Sequence, residues 1–139
     1  MSAALYDMLR GRFDDGEPVD ANDESALIRS VRDHLQRLLN ARQGVLQHLP
    51  DYGLPDLPSL YSGLPYAADD IARQVRQTVE RYEPRLQQVS VRLVTTNEFS
   101  CVVGVELAGE LPGGYWARFQ SRFDGGGGAD VSVWALRDN

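Results

Sequence analysis

Lysine is absent from the sequence, and cysteine occurs once, at Cys101. Without lysine, the chain cannot form a lysine Schiff base or a P-loop phosphate site. A single cysteine excludes an intrachain disulfide and a zinc site built on cysteines. Because Cys101 lies in an apolar run, we expect it to be a buried, reduced thiol in a cytoplasmic protein. Apart from histidine, every basic residue is an arginine, which favours planar, bidentate pairing with carboxylates.

The chain also lacks a surplus of positive charge and a long hydrophobic run. Its 20 acidic residues outnumber its 14 arginines, and the net charge is −6. The chain therefore lacks the excess of positive charge that binding to nucleic-acid phosphates requires. No apolar run approaches the roughly 20 residues of a membrane span, and the amino-terminal sequence lacks the apolar core of a signal peptide. We therefore predict a cytoplasmic protein that neither binds nucleic acid nor inserts into a membrane.

The length of 139 residues suits one domain with a compact core. Leu5, Met8 and Leu9 mark a short amphipathic helix, and an acidic, glycine-bearing segment follows it. We therefore divide the chain into an amino-terminal helix with a mobile tether, residues 1–21, and a single domain, residues 22–139.

Within the domain, helical patterns come first and alternating patterns follow. Apolar residues at steps of three and four predict helices over about 26–43 and 67–81, joined by a rigid, proline-rich connector. Four later segments alternate with a period of two and are predicted strands: 89–93, 99–107, 115–123 and 131–136. The fold class is therefore α+β, with helices packed on one face of a small, mostly antiparallel sheet of about four strands.

The sequence Glu83-Pro84-Arg85 lies where the second helical pattern gives way to the alternating one. Pro84 disfavours α geometry at Glu83, so the helix should end there. A helix carboxyl terminus repels a glutamate, which therefore needs a compensating cation. Arg85 could supply that cation locally, or both charges could face complementary charges on a partner.

Seven further positions are assigned structural roles around the turns. We expect Asn40 and Arg42 to bind the connector from within, Asp51 to bond local backbone N–H groups, and Gly53 to adopt a positive φ. The complete set is Asn40, Arg42, Gly44, Asp51, Tyr52, Gly53 and Pro55.

We assign no catalytic residue, no metal ligand and no cofactor site. His34 lies beside the apolar stripe of the first long helix, and His48 is its only possible histidine partner. No cluster of acids joins the two, so a satisfied or surface histidine is the better interpretation of His34 than a ligand.

Four sequence motifs together resemble a known family. They are LYDML near the amino terminus, LLNARQG from Leu38, DYGLP from Asp51 and EPR from Glu83. In this combination the chain resembles the TssE family of type VI secretion baseplate components. More broadly, it resembles the phage baseplate wedge and sheath-initiator proteins, which are sometimes labelled lysozyme-like.

The resemblance implies a structural role in a contractile injection machine. Glu83, Pro84 and Arg85 would dock the domain to the wedge core bundle formed by TssF and TssG. The sheet would seed the TssB–TssC sheath by strand addition, at 89–93 or 131–136. TssK would be an indirect partner, and the protein would act in the cytoplasm at a baseplate docked to the inner membrane.

Two other functions compete with this interpretation. A lysozyme-like hydrolase that cleaves peptidoglycan needs two carboxyl groups across a cleft, one of them with a raised pKa. Glu83 is placed for the opposite effect, because the nearby Arg85 favours its ionised form. An unrelated adaptor would explain an arginine-bearing sheet face with Trp116, Arg118 and Arg122, but it would leave the motifs unexplained. We therefore predict a protein that is not an enzyme.

Overall fold

Three helices and four strands lie within the described residues of a computed structural model. The backbone is described for residues 19–94 and 101–138, and the side chains for 25–94 and 101–134. The elements, in chain order, are α1 (Val19–Asn40), α2 (Pro58–Tyr61), α3 (Ala68–Tyr82), β1 (Gln87–Val94), β2 (Val103–Leu111), β3 (Tyr115–Phe123) and β4 (Ala129–Asp138).

Helix α1 begins earlier than the sequence pattern predicts. It starts at Val19, three residues inside the segment 1–21 that we assigned to the amino-terminal helix and tether. Acidic residues dominate this stretch, and negative charge near a helix amino terminus is stabilised by the helix dipole. The predicted helix at Leu5, Met8 and Leu9 lies outside the described residues.

The strands form one antiparallel sheet in the order β1-β2-β3-β4. This arrangement confirms the predicted α+β class with a sheet of four strands. Strand β3 has the predicted bounds, whereas β4 is longer than predicted and β2 begins at Val103, after Cys101. The predicted turn over 95–98 and the predicted strand residue Phe99 lie outside the described residues.

The core lies between the helices and one face of the sheet. Helix α1 contributes Ile28, Val31 and Leu35, and α3 packs beside it. The inner sheet face adds large side chains such as Phe119 and Phe123, which are fully buried. Burying such a side chain contributes about 1.5–3 kcal/mol each, so this layer provides the main driving force for folding.

The outer face of the sheet carries charges that pair across the strands. Glu106 lies 2.7 Å from Arg92 and 3.0 Å from Arg118. Arg122 lies 2.8 Å from Asp130. The arginines of this face therefore have acidic partners within the sheet, as expected for cross-strand pairs of opposite charge.

Cys101 is half-buried rather than fully buried as predicted. Its thiol donates to the carbonyl of Val103 over 3.3 Å, and it is a free cysteine. The residue lies just before β2 instead of within the strand, which leaves it less covered than the pattern suggests.

Candidate partner-docking site

The Glu83-Pro84-Arg85 motif forms the corner between α3 and β1. Helix α3 ends at Tyr82, and Glu83 leaves the helical region with φ −127° while its N–H still bonds the Val79 carbonyl. The predicted end of this helix is therefore confirmed. Pro84 is exposed, and Arg85 turns back toward Glu83 before β1 begins.

The side chain of Glu83 is buried and has no free acceptor. It is 1% exposed. One carboxylate oxygen accepts from His34 Nδ1 at 2.8 Å and from Arg85 Nη2 at 2.9 Å. The other accepts from the backbone N–H of Arg85 at 3.2 Å and from Arg85 Nε at 2.9 Å. A carboxylate offers about four acceptor sites, so Glu83 has none left for a partner protein.

The hydrogen-bond donors around Glu83 determine its ionisation state. Burial by itself raises the pKa of the carboxyl group, but hydrogen bonds from Arg85 and His34 and the positive charge of Arg85 lower it more. The net result is a pKa below the ordinary value of 4.5. Glu83 is therefore an ionised, saturated anchor, which is the opposite of a proton donor.

Arg85 is the accessible member of the motif. Its side chain is 36% exposed. Besides its two side-chain bonds to Glu83, it donates from Nη1 to the hydroxyl of Ser30 over 2.8 Å. Three of its N–H donors are thus used within the described residues, and an arginine carries one further donor on each of Nη1 and Nη2. The guanidinium is held in place and can still bond a partner.

His34 connects the motif to α1, and sequence reasoning missed this role. Its Nδ1 lies 2.8 Å from the Glu83 carboxylate, and its Nε2 lies 3.5 Å from the hydroxyl of Tyr52. The available signal was the spacing of Ser30 and His34, which lie one helical turn apart on one face of α1. We call the set Ser30, His34, Tyr52, Glu83 and Arg85 the corner network.

The Asp51-Tyr52-Gly53 turn packs against the end of α3. Asp51 pairs with Arg81 at 3.0 Å instead of bonding local backbone N–H groups as predicted. The ring of Tyr52 meets that of Tyr82 edge-on, with centroids 5.0 Å apart. Gly53 has the predicted positive φ, at +103°. Two motifs that are far apart in sequence therefore meet at one corner.

The other predicted structural residues lie on the far side of the helix end. We predicted that Asn40 binds the connector. Its side chain instead bonds the backbone of Ala129 in β4. Arg42 donates to the carbonyl of Gly127 in the turn before β4, and its backbone forms a bridge with Leu54. The helix end therefore does meet the connector, through backbone groups.

Two predicted turn residues complete this region. Gly44 has φ +90° and donates its N–H to the Pro50 carbonyl over 2.9 Å. Pro55 is half-buried in the connector, directly after Leu54. Neither residue contacts the corner network through a described hydrogen bond.

No group of metal-ligating side chains occurs among the described residues. Within the same ranges, no helix has both the length and the apolar character to cross a bilayer.

Replacing Glu83 with glutamine should destabilise the protein at neutral pH. The glutamine cannot accept as many charge-assisted bonds, and its NH2 group faces donors, so we expect a loss of about 2–3 kcal/mol at pH 7. Because the folded-state pKa of Glu83 is lowered, its contribution is present above 4.5 and disappears as the pH falls below that value. Urea unfolding of both proteins at neutral and acidic pH should give curves that converge in acid.

Glu80→Gln is the matched control, because Glu80 is exposed on the preceding turn of α3. We expect this variant to stay within about 0.5 kcal/mol of the parent. Equal stability of Glu83→Gln and the parent at pH 7 would contradict the role of Glu83 as an anchor.

The comparisons with known proteins agree on one family. The family model described as baseplate wedge protein gp25 matches residues 25–111, a range that contains the whole corner network. The baseplate wedge protein gp25 of Enterobacteria phage T4 is 23% identical over 83 residues, which cover 58% of this chain and 63% of the phage protein. The match therefore spans less than two thirds of that relative.

A solved structure of the baseplate complex from the type VI secretion system contains a similar chain. That chain is 35% identical and superimposes with a TM-score of 0.56, over 65% of this chain and 77% of the other. Since the family model covers more than half of the sequence, the protein belongs to the baseplate wedge protein gp25 family.

Proposed function

We propose that the protein is a structural subunit of a type VI secretion baseplate, which docks to the TssF–TssG wedge through the corner that carries Arg85. The observation that carries this proposal is the contrast within the motif. Glu83 is buried and saturated, whereas Arg85 is partly exposed and retains free donors. Family membership supplies the context of a baseplate.

In this proposal, Arg85 and the exposed Pro84 contact the wedge. Glu83 fixes the guanidinium in one orientation, so little side-chain entropy is lost when a partner binds. The remaining N–H donors suit a carboxylate or a backbone carbonyl of the wedge. Glu83 is a positioning residue in this scheme and does not touch the partner itself.

A second part of the proposed function uses the sheet. An extended segment of the TssB–TssC sheath pairs with an edge strand and so starts sheath assembly. The outer strands β1 and β4 provide the edges of the sheet. TssK takes part indirectly, through the wedge, and the assembled baseplate lies on the cytoplasmic side of the inner membrane.

The alternative of a peptidoglycan hydrolase is disfavoured by the same carboxylate. General acid catalysis needs a carboxyl group with a raised pKa, and the pKa of Glu83 is lowered. Glu106 pairs with Arg92 and Arg118 on the open sheet face instead of facing a second acid across a cleft. We propose a role without catalysis.

Co-purification with the wedge tests the proposed function. The tagged chain should retain a TssF–TssG complex at low salt and lose part of it at high salt, because exposed docking charges are screened. The unfolded chain, prepared in urea and diluted immediately before mixing, serves as a control for nonspecific retention. No retention at any ionic strength, or turnover of purified peptidoglycan by the chain alone, would overturn the proposal.

A further inference from the structure

The two edges of the sheet differ in whether their backbone groups are already bonded. On the β4 side, helix α1 lies along the edge and points amide side chains at the strand. Gln36 and Asn40 lie one helical turn apart, so both face β4. Their bonds go to the backbone of Ala129 and Val131.

These two amides act as a substitute for a neighbouring strand. Asn40 Oδ1 accepts from the Ala129 N–H at 2.9 Å while its Nδ2 donates to the Ala129 carbonyl at 2.9 Å. Gln36 Oε1 accepts from the Val131 N–H at 2.8 Å, and its Nε2 donates to the Ala129 carbonyl at 2.7 Å. Arg32 Nε completes the pattern at the Val131 carbonyl, at 2.8 Å.

The first half of β4 is therefore closed to another strand. An incoming segment would have to displace five hydrogen bonds from α1 before it formed any of its own. We call the side chains of Arg32, Gln36 and Asn40 the amide ladder.

The second half of β4 is interrupted by a bulge. Arg118 of β3 pairs with Ala135, and the next residue, Phe119, pairs with Val133. Trp134 is therefore an extra residue on the outer strand, and its side chain is 59% exposed. A bulge breaks the regular spacing of the outward groups and is a known device that protects edge strands.

Strand β1 provides a regular edge over its last five residues. Its own irregularity falls at the start, between Gln87 and Ser90, where Gln88 has a positive φ of 55°. From Ser90 to Val94 the pairing with β2 runs without interruption. Within the described ranges, no side chain hydrogen-bonds to the backbone of this stretch, in contrast to the amide ladder on β4.

The inner face of this edge is also incompletely covered. Val91 and Leu93 are half-buried and pack on the margin of the core. An added strand with alternating apolar side chains would extend the core layer over them. Its opposite face would lie beside Arg92, whose side chain is 73% exposed, and would suit polar or acidic residues.

We propose that strand addition takes place on β1, along Ser90–Val94, and that the amide ladder of α1 closes β4 against it. The inference rests on the proposed sheath contact and adds to it the edge and the pattern of the incoming segment. The occupant is an extended segment of a sheath subunit with alternating apolar and polar residues, about five residues long where it pairs.

Amide hydrogen exchange with and without the TssB–TssC complex tests this assignment. In the free chain, alternate amides of Ser90–Val94 should exchange quickly, while Ala129 and Val131 are protected by the ladder. With the sheath complex bound, the fast amides of Ser90–Val94 should slow by about tenfold or more, since each gains a hydrogen bond. The amides of 133–138 should be unchanged.

The possible outcomes distinguish failure of the edge assignment from failure of the proposed strand addition on which it rests. Protection that appears at 133–138 while Ser90–Val94 stays fast would overturn the edge assignment and leave strand addition standing. No added protection on either edge would remove strand addition itself, and the inference with it.

A double variant tests the closing role of the ladder without any partner. Gln36→Ala with Asn40→Ala should accelerate exchange at Ala129 and Val131 by about tenfold, while core amides such as that of Phe119 keep their protection. Gln77→Ala, which removes an exposed glutamine from α3, should change neither site. Unchanged protection of Ala129 and Val131 in the folded double variant would overturn the inference.

Discussion

Gly53→Ala should destabilise the protein by more than about 3 kcal/mol and should leave little folded protein at moderate urea concentrations. A β-carbon at this position would lie 2.5 Å from both the carbonyl carbon and the oxygen of Ala41. Those atoms belong to backbone that bonds Leu54, so they cannot move without loss of the connector's contact with α1. The φ of +103° adds conformational strain for any residue with a side chain.

Gly44→Ala is the matched control for this prediction. Gly44 also has a positive φ, +90°, but an added β-carbon there meets nothing within 4 Å. Only the backbone cost of about 1–2 kcal/mol remains. Urea unfolding followed by circular dichroism should therefore separate the two variants. Similar losses in both would mean that steric contact at Ala41 is unimportant.

The position of Gly53 matters for the corner network as well as for stability. Its carbonyl accepts from the buried hydroxyl of Thr78 on α3 at 3.3 Å. The preceding residue, Tyr52, meets Tyr82 and approaches His34. A displaced turn would therefore loosen the corner network along with the connector.

Local rules predicted those parts of the fold that depend on neighbours in sequence. The alternation over Tyr115–Phe123 gave the bounds of β3, because side chains in a strand point alternately to the two faces. Pro84 gave the end of α3, because the residue before a proline avoids helical geometry. Neither conclusion required knowledge of the tertiary structure.

The contacts that define the site depend on tertiary packing and were out of reach. His34 and Glu83 are 49 positions apart, and Asn40 and Ala129 are 89 apart. A local sequence pattern carries no information about contacts between residues so far apart, so the predicted partner of Asn40 was wrong. The burial of Glu83 was missed for the same reason, because a charged residue beside a helix end is usually exposed.

Of the two interpretations of Glu83-Pro84-Arg85 left open by the sequence, the structure shows local compensation, and it leaves Glu83 buried with no acceptor for a partner. Pro84 and Glu83 do end the helix, and Arg85 does compensate the glutamate locally. That compensation also holds the guanidinium at the surface in one orientation. The proposed docking contact therefore uses Arg85 at the same corner, with Glu83 as the residue that positions it.

Arg85→Ala should weaken binding to the TssF–TssG wedge by about 30- to 150-fold, equivalent to about 2–3 kcal/mol, mainly through faster dissociation. The variant removes the charged member of the corner network that is partly exposed and retains free donors. Surface binding kinetics with immobilised wedge complex would measure the change. Circular dichroism must show a folded variant, because Glu83 would keep only the bonds from His34 and from the backbone N–H of residue 85.

Arg81→Ala provides a surface arginine near the same helix end as a control. Its side chain is 62% exposed and pairs with Asp51, so its removal should change wedge binding by less than about threefold. Arg85→Lys keeps the charge but loses the planar fork, and it should retain only part of the affinity. Full binding by the folded Arg85→Ala variant would exclude this corner as the docking contact.

A double-mutant cycle separates positioning from direct contact. If Glu83 acts through Arg85, Glu83→Gln should weaken wedge binding when Arg85 is present and should add nothing once Arg85 is alanine. The buried, saturated carboxylate leads to this expectation, because it has no acceptor to offer the partner. Additive losses would instead require Glu83 to meet the wedge directly, and the corner would then have to open on binding.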